Sequence, residues 1–321
     1  MATTGAVRER PPDSGNPAAG LMTGGPGAGQ KIIKAALFLS AIFSVLITLG
    51  IVISLLIPNI TFFSNVSLRE FLFGTEWTAA FGNKGSWTDK AWGVLPLVVG
   101  TLVATAIAIL VAVPLGLGSA VLLSEYASDR VRKVVKPVLE ILAGVPTVVY
   151  GFLALTILTP VLKTFLPIEG IYNQLSAGLV MGFMIVPTVA SLSEDAMSAV
   201  PMGLRQGSYA LGANRMTTTI RVVFPAALSG IVAAIVLGIS RAIGETMILA
   251  IAAGNEAKLT LNPLEGAQTM TGYIAQIASG DAPQGSPVYY SLFAVGALLF
   301  VMTFVINLIS IRLVRRYRQV Y

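Results

Sequence analysis

Cysteine and histidine are both missing from this sequence. Without cysteine there are no disulfides, thiolate metal sites or cysteine nucleophiles, and without histidine there is no imidazole acid–base chemistry. Charge is scarce as well, at 11 % of residues, against about 25 % in ordinary soluble domains. What fills the space is apolar: 55 % of residues are hydrophobic and the mean hydropathy is +0.80. A hydrocarbon core about 30 Å thick needs about 20 apolar residues per helix, and several runs here reach that length. The ten-residue alternating strands of a membrane barrel are absent. The expected fold class is therefore an all-α integral membrane protein with six transmembrane helices, at about 33–57, 94–123, 137–160, 175–192, 226–252 and 288–313.

Residues 1–30 are rich in Gly, Pro, Ala and Thr, lack an apolar leader run, and read as a disordered tail. Within them, "GPGAGQKI" (25–32) looks like a phosphate-binding loop, but its spacing is off by one residue and neither Ser nor Thr follows Lys31. The rest divides into a first helix with an outer segment (31–92), a main transmembrane domain (93–313) containing a long inner loop (193–225), and a basic C-terminal stretch (314–321).

Lys and Arg set the orientation. With the N-terminus inside, the inner segments hold fifteen of them, in clusters at 8–34, 130–136, 205–221 and 312–318. The outer segments hold five: Arg69, Lys84, Lys90, Lys163 and Lys258. Both termini are thus expected to be cytoplasmic. The net charge of +6 is then a topology signal and does not argue for a nucleic-acid partner.

Small residues at helical spacing, Gly178 with Gly182 and Ala234 with Gly238, predict close helix packing. Pro114, Pro146 and Pro187 interrupt expected spans and free backbone carbonyls, which neighbouring helices or a polar cavity must satisfy. Two readings stand. Either the prolines kink packed helices, or "GVPT" (144–147) and "IVPT" (185–188) line a polar route with the hydroxyls of Thr147 and Thr188. Trp77, Trp87 and Trp92 precede the second span and are expected at the outer membrane interface.

The inner loop is "SEDAMSAVPMGLRQGSYALGANRMTTTIRVVFP". Ser193 is placed to cap a helix carrying Glu194 and Asp195, Pro201 to stop it, and a short helix is expected over 203–211. Gly212 suits the left-handed turn that ends such a helix. The resulting hairpin exposes Tyr209 and Leu211, which fits a docking knob for another protein or a loop folded back on its own bundle.

This loop resembles the coupling loop of ABC importer permeases. Gln206, Gly207 and Ser208 take the places of its Glu-Ala-Ala, Tyr209, Ala210 and Leu211 are the spacers, and Gly212 is its glycine. Nine residues lead to Val222, and Phe224-Pro225 take the Leu-Pro places. The acidic residue of the pattern is missing. Further collinear segments, including "GVLPLVVGTL" (93–102), "VPLGLGSAVLLSEYAS" (113–128), "AGVPTVVYGFLAL" (143–155) and "SRAIGETM" (240–247), are similar to the C-type membrane subunits of bacterial phosphate-specific ABC importers. The resemblance implies a type-I ABC importer bundle that is itself not an enzyme. It implies as partners a second, homologous permease subunit, two ATPase subunits that bind ATP and Mg, and an extracytoplasmic phosphate-binding protein. It implies no cofactor or metal in this chain.

One constellation stands apart. Between Ala226 and Ala252 the only ionisable side chains are Arg241 and Glu245. At helical spacing they share one face, and Arg241 falls about 18 Å deep, counted from a membrane edge near Ser229. An intramembrane Arg costs about 2.5–3.5 kcal/mol on insertion scales, so it faces a bundle interior or a wet cavity. A mutually neutralising pair locking two helices is one reading. The other is a substrate site, because the planar guanidinium fork fits a tetrahedral oxyanion, with Glu245 orienting Arg241 and Thr246 beside it. Thr246-Met247 stand where sulfate and molybdate permeases have an aromatic, which favours phosphate. Rival classes are a proton-coupled secondary carrier using Glu245 and a passive anion channel. Neither needs a coupling loop.

Overall fold

The computed structural model describes residues 28–79 and 86–317; the expected tail over 1–27 and the last four residues fall outside them. Two units divide at residue 54. In the first, the described residues are helical throughout, as the opening part of α1 (Ala28–Asn65). The helix covers residues 28–32 of the loop-like segment, and its first three residues, 25–27, lie outside the described residues.

The second unit contains the end of α1 and every later element. These are α2 (Leu68–Phe73), α3 (Leu95–Val121), α4 (Asp129–Gly144), α5 (Thr147–Leu153), α6 (Thr159–Lys163), α7 (Gln174–Ser198), α8 (Met202–Ala210), α9 (Arg215–Thr218), α10 (Phe224–Ala226), α11 (Leu228–Ile243), α12 (Met247–Ala252), α13 (Met270–Gln276) and α14 (Pro287–Tyr317). Among the described residues there is no strand, only an isolated bridge between Trp77 and Trp92. Four helices are long and apolar enough to cross a membrane, and two sharply bent pairs raise this to six if each counts as one span.

The centre is the α3–α7 pair. Ala104, Ala108 and Ala112 of α3 are fully buried at a four-residue repeat, opposite Gly178 and Gly182 of α7. A Cβ on Gly178 would lie 2.7 Å from the Ile107 Cβ, and one on Gly182 would lie 2.9 Å from the Ala108 carbonyl. The expected small-residue seam therefore sets how closely the two backbones approach. Gly238 brings α11 onto the same helix, where an added Cβ would meet Ile185 and Val189 at 3.2 Å.

Three expectations are corrected. The third span is bent by 88° between α4 and α5. Val145, held extended (φ −66°, ψ 130°) ahead of Pro146, cannot continue the helix. Pro114 and Pro187, in contrast, lie inside continuous helices. The fifth span is not one helix over 226–252: α11 ends at Ile243 and α12 restarts at Met247. Finally, Trp77 and Trp92 are 2 % and 1 % exposed. They do not sit as interfacial anchors but pack edge to face with Phe62, Phe71 and Tyr273. This aromatic core consolidates the end of α1, α2 and α13, and aromatic edge–face pairs are worth about 0.5–1.5 kcal/mol each beyond burial.

Candidate functional site: a half-open arginine and a clamped loop

Arg241 occupies the last turn of α11 and is half-buried. One of its guanidinium nitrogens, Nη1, donates to the Thr188 hydroxyl of α7 at 2.8 Å. That is its one hydrogen bond among the described residues, and an Arg side chain carries five donors. Tyr150 of α5 lies within electrostatic range of the guanidinium. The end of α11 and α7 thus bring together Arg241 and Thr188, while the Tyr150 hydroxyl donates to the Leu142 carbonyl at 2.9 Å.

Glu245 does not pair with Arg241. No ion pair within 4 Å joins them among the described residues, because the helix that would have put them on one face stops between them. Gly244 closes α11. The Glu245 carboxylate turns forward and accepts from the backbone N–H groups of Met247 (3.1 Å) and Ile248 (3.3 Å), capping α12. Its own carbonyl accepts from Thr271 at 2.7 Å. The side chain is buried, and the two N–H groups supply the compensation that a buried carboxylate needs. Thr246 lies in the break, its hydroxyl directed to the Gly244 carbonyl at 3.3 Å. Thr147 opens α5 half-buried, and no contact carries it to Arg241.

Beyond Thr188 lies a cavity of about 180 Å³ between α4 and α7, lined by Lys136, Glu140, Ser191 and Glu194 among others. Lys136 bonds to Glu194 (2.9 Å) and Asp195 (3.5 Å), and Arg132 bonds to Glu194 (3.2 Å). Glu140 shares this lining with Lys136 and is exposed.

At the Ser198 end of α7 the loop folds much as the spacing predicts. Ser193 is not a cap: it lies buried inside α7, which runs on to Ser198. Pro201 starts α8, and Gly212 ends it at φ +81°. The Ala213 N–H bonds to the Ser208 carbonyl (3.2 Å) and the Gly212 N–H to the Tyr209 carbonyl (2.9 Å), the paired closure that needs a left-handed residue. Gln206, Gly207, Tyr209, Ala210 and Pro225 are exposed, and Leu211 is 91 % exposed. Ser208 is held inward against Thr218 at 2.9 Å.

Sequence reading assigned no role to Arg205, yet it anchors this loop. The side chain is nearly buried and bonds to the Glu125 carboxylate at 2.9 Å and to the Met197 carbonyl at 2.8 Å. Its signal was one cation in the loop whose partner stands 80 positions earlier.

At the opposite end of α7, residues 253–269 form an ordered cap. The Asn173 N–H bonds to the Ala252 carbonyl (3.1 Å) and the Gln174 N–H to the Glu265 carbonyl (3.0 Å). A polar cavity of about 310 Å³ opens there, lined by Glu169, Tyr172, Glu256 and Asn262 among others, with Lys258 ion-paired to Glu265.

Comparison with known proteins decides the family. Residues 112–319 match the model of the binding-protein-dependent transport system inner membrane component. The chain belongs to this family. It is 36 % identical over 281 residues to a probable ABC transporter permease protein, YqgH, of Bacillus subtilis, covering 88 % of each chain. It is 33 % identical to the phosphate transport system permease protein PstC of Mesorhizobium japonicum, over 74 % of this chain and 81 % of that one. It is 36 % identical to PstC 1 of Mycobacterium tuberculosis, over 70 % and 73 %. Among solved structures, a bacterial alginate ABC transporter matches at TM-score 0.62 with 16 % identity, over 89 % of this chain and 94 % of that one. The MetNI methionine ABC transporter matches at TM-score 0.54 with 21 % identity, over 71 % and 95 %. These likenesses establish the fold of an ABC permease.

Proposed function

We propose that this integral membrane permease forms, with a second permease subunit, the pathway for inorganic phosphate through an ATP-driven importer. The observation that carries the reading is Arg241: a half-buried guanidinium at the end of α11 against α7, with one protein hydroxyl among the described residues for its five donors. A tetrahedral oxyanion is the ligand whose oxygens fit such a fork. The kinship with several PstC proteins supports phosphate over other oxyanions.

Six spans carry both ends of the chain to the cytoplasm, on the fifteen-to-five distribution of Lys and Arg. The hairpin over 202–212 then faces the cytoplasm and docks in a cleft of an ATPase subunit through Tyr209 and Leu211, with ATP and Mg held by that partner. The cap over 253–269 faces outward, toward a phosphate-binding protein. Phosphate released into the bundle meets Arg241 and the break at 244–246. Thr188 shares the guanidinium with it, and Glu245, capping α12, keeps the break open while limiting the local positive charge so that the anion can leave.

The test is reconstitution. Purified with its partners in proteoliposomes, the permease should take up labelled phosphate only with internal ATP, and tenfold excess unlabelled phosphate should suppress uptake while sulfate and molybdate do not. Suppression by sulfate or molybdate instead would overturn the substrate; ATP-independent uptake would overturn the class.

A further inference from the structure

We infer that a five-residue turn, Leu122–Tyr126 at the end of α3, is the point where the loop's movement enters α3, and that the Arg205–Glu125 pair is the clamp that transmits it. This rests on the reading of the 202–212 hairpin as the ATPase dock.

Three arginines from three different elements converge on that turn. Arg205 of α8 bonds to the Glu125 carboxylate at 2.9 Å. Arg215 of α9 places its guanidinium 5.2 Å from the centre of the Tyr126 ring. Arg132 of α4 donates to the Leu123 carbonyl at 2.9 Å. α8 and α9 therefore both hold the same turn, and the Ser208–Thr218 bond ties these two helices together. The turn itself is wound as a π-helix, its Ala127 N–H reaching back to the Leu122 carbonyl at 2.7 Å. Such turns interrupt the regular ladder and recur at functional positions.

Burial makes the Arg205–Glu125 contact rigid. The two side chains are 11 % and 4 % exposed, and two further Arg205 donors go to the Val200 and Met197 carbonyls. A buried charge pair held by additional hydrogen bonds has no solvated alternative to swing into. Of the two covalent routes from the hairpin, one runs through α10 into α11 and crosses a 71° bend, and the other runs back through residues 199–201 into α7, so neither leads to α3. A bend absorbs displacement, whereas a clamp passes it on. Force on the hairpin thus reaches α3 through the clamp and α7 through the chain itself and the Arg205 bond to the Met197 carbonyl, and the glycine seam keeps those two helices together. Because Thr188 of α7 holds Arg241 of α11, moving α7 against α11 changes the anion site. Arg205 and Glu125 are positioning residues, since neither touches phosphate.

The experiment measures ATP hydrolysed per phosphate imported, in the full complex reconstituted with its binding protein. Glu125→Gln keeps size and one acceptor but removes the charge; Glu125→Ala removes the clamp. Both complexes should retain the ATPase subunit at the wild-type ratio and hydrolyse ATP within about twofold of wild type. The ATP-to-phosphate ratio should rise about threefold for Gln and about tenfold for Ala. A purely structural role would lower hydrolysis and uptake together and leave the ratio unmoved, which would overturn the inference. If Glu125→Ala does not assemble, the nearly isosteric Gln variant decides by the same ratio. Gly212→Val, which strains the left-handed turn, separates the two readings: it should lose the ATPase subunit. If it keeps both that subunit and uptake, the docking assignment fails, whatever Glu125 does.

Discussion

Two arginines in nearly apolar surroundings make the instructive contrast. Arg205 has a carboxylate and two backbone carbonyls; Arg241 has one neutral hydroxyl. Both belong to a chain with few charges, yet their environments ask for different things. Arg205 is nearly buried, with three hydrogen bonds and a carboxylate partner, so its charge is compensated within the protein. Arg241 is half-buried with one hydrogen bond among the described residues, its guanidinium lying between α11 and α7. A satisfied guanidinium holds elements together, whereas an unsatisfied one is a site awaiting an acceptor.

The sharpest way to break the contrast is to truncate both residues. Arg205→Met leaves Glu125 buried without its cation and should destabilise the protein by about 3–5 kcal/mol. Arg241→Met strands no carboxylate, since Glu245 already has its own donors, and should cost about 1 kcal/mol or less. Thermal denaturation of the two purified variants measures the difference; equal losses would mean that the two environments are alike. A smaller change tests the hydroxyl. Thr188→Val keeps shape, removes Arg241's one protein acceptor, and should lower phosphate uptake about fivefold while costing about 1 kcal/mol in stability; unchanged uptake would remove Thr188 from the pathway.

The smallest effect is expected at the outer ion pair. Hydrogen bonding and attraction to Lys258 hold the Glu265 carboxyl below its usual range, and Glu265 with its acidic neighbours holds the Lys258 ammonium above its own. The sign follows for each group. Glu265's contribution is present above the ordinary carboxylate pKa and fades as pH falls through its lowered value. Lys258's is present below the ordinary lysine pKa and fades as pH rises through its raised value. Between these limits the pair is intact, but exposed pairs are screened. Lys258→Ala should therefore shift the melting temperature at pH 7 by less than about 2 °C; a larger shift would mark the cap as a structural keystone.

Much of this was legible in the sequence, for definite physical reasons. Apolar runs announce membrane helices because backbone groups in lipid must bond within the segment. Gly178 and Gly182 announce a close seam, and Gly212 announces a left-handed turn. The break at Gly244–Thr246 was not legible, because apolar residues flank it on both sides and the four-residue spacing of Arg241 and Glu245 imitates one helix face. The burial of Trp77 and Trp92 was hidden because an amphipathic ring suits a membrane interface as well as an aromatic core. The partnership of Arg205 with Glu125 could not be read because nothing local joins residues so far apart in the chain.

The central claim is that the open donors of Arg241 carry the transported anion, and Arg241→Lys tests it most directly. Lysine keeps the charge and nearly the length but loses the planar fork. Initial rates of ATP-driven phosphate uptake, normalised to assembled complex, should fall at least about tenfold while assembly and melting temperature stay near wild type. Uptake at the wild-type rate would contradict the claim and leave Arg241 as an architectural residue joining α11 to α7.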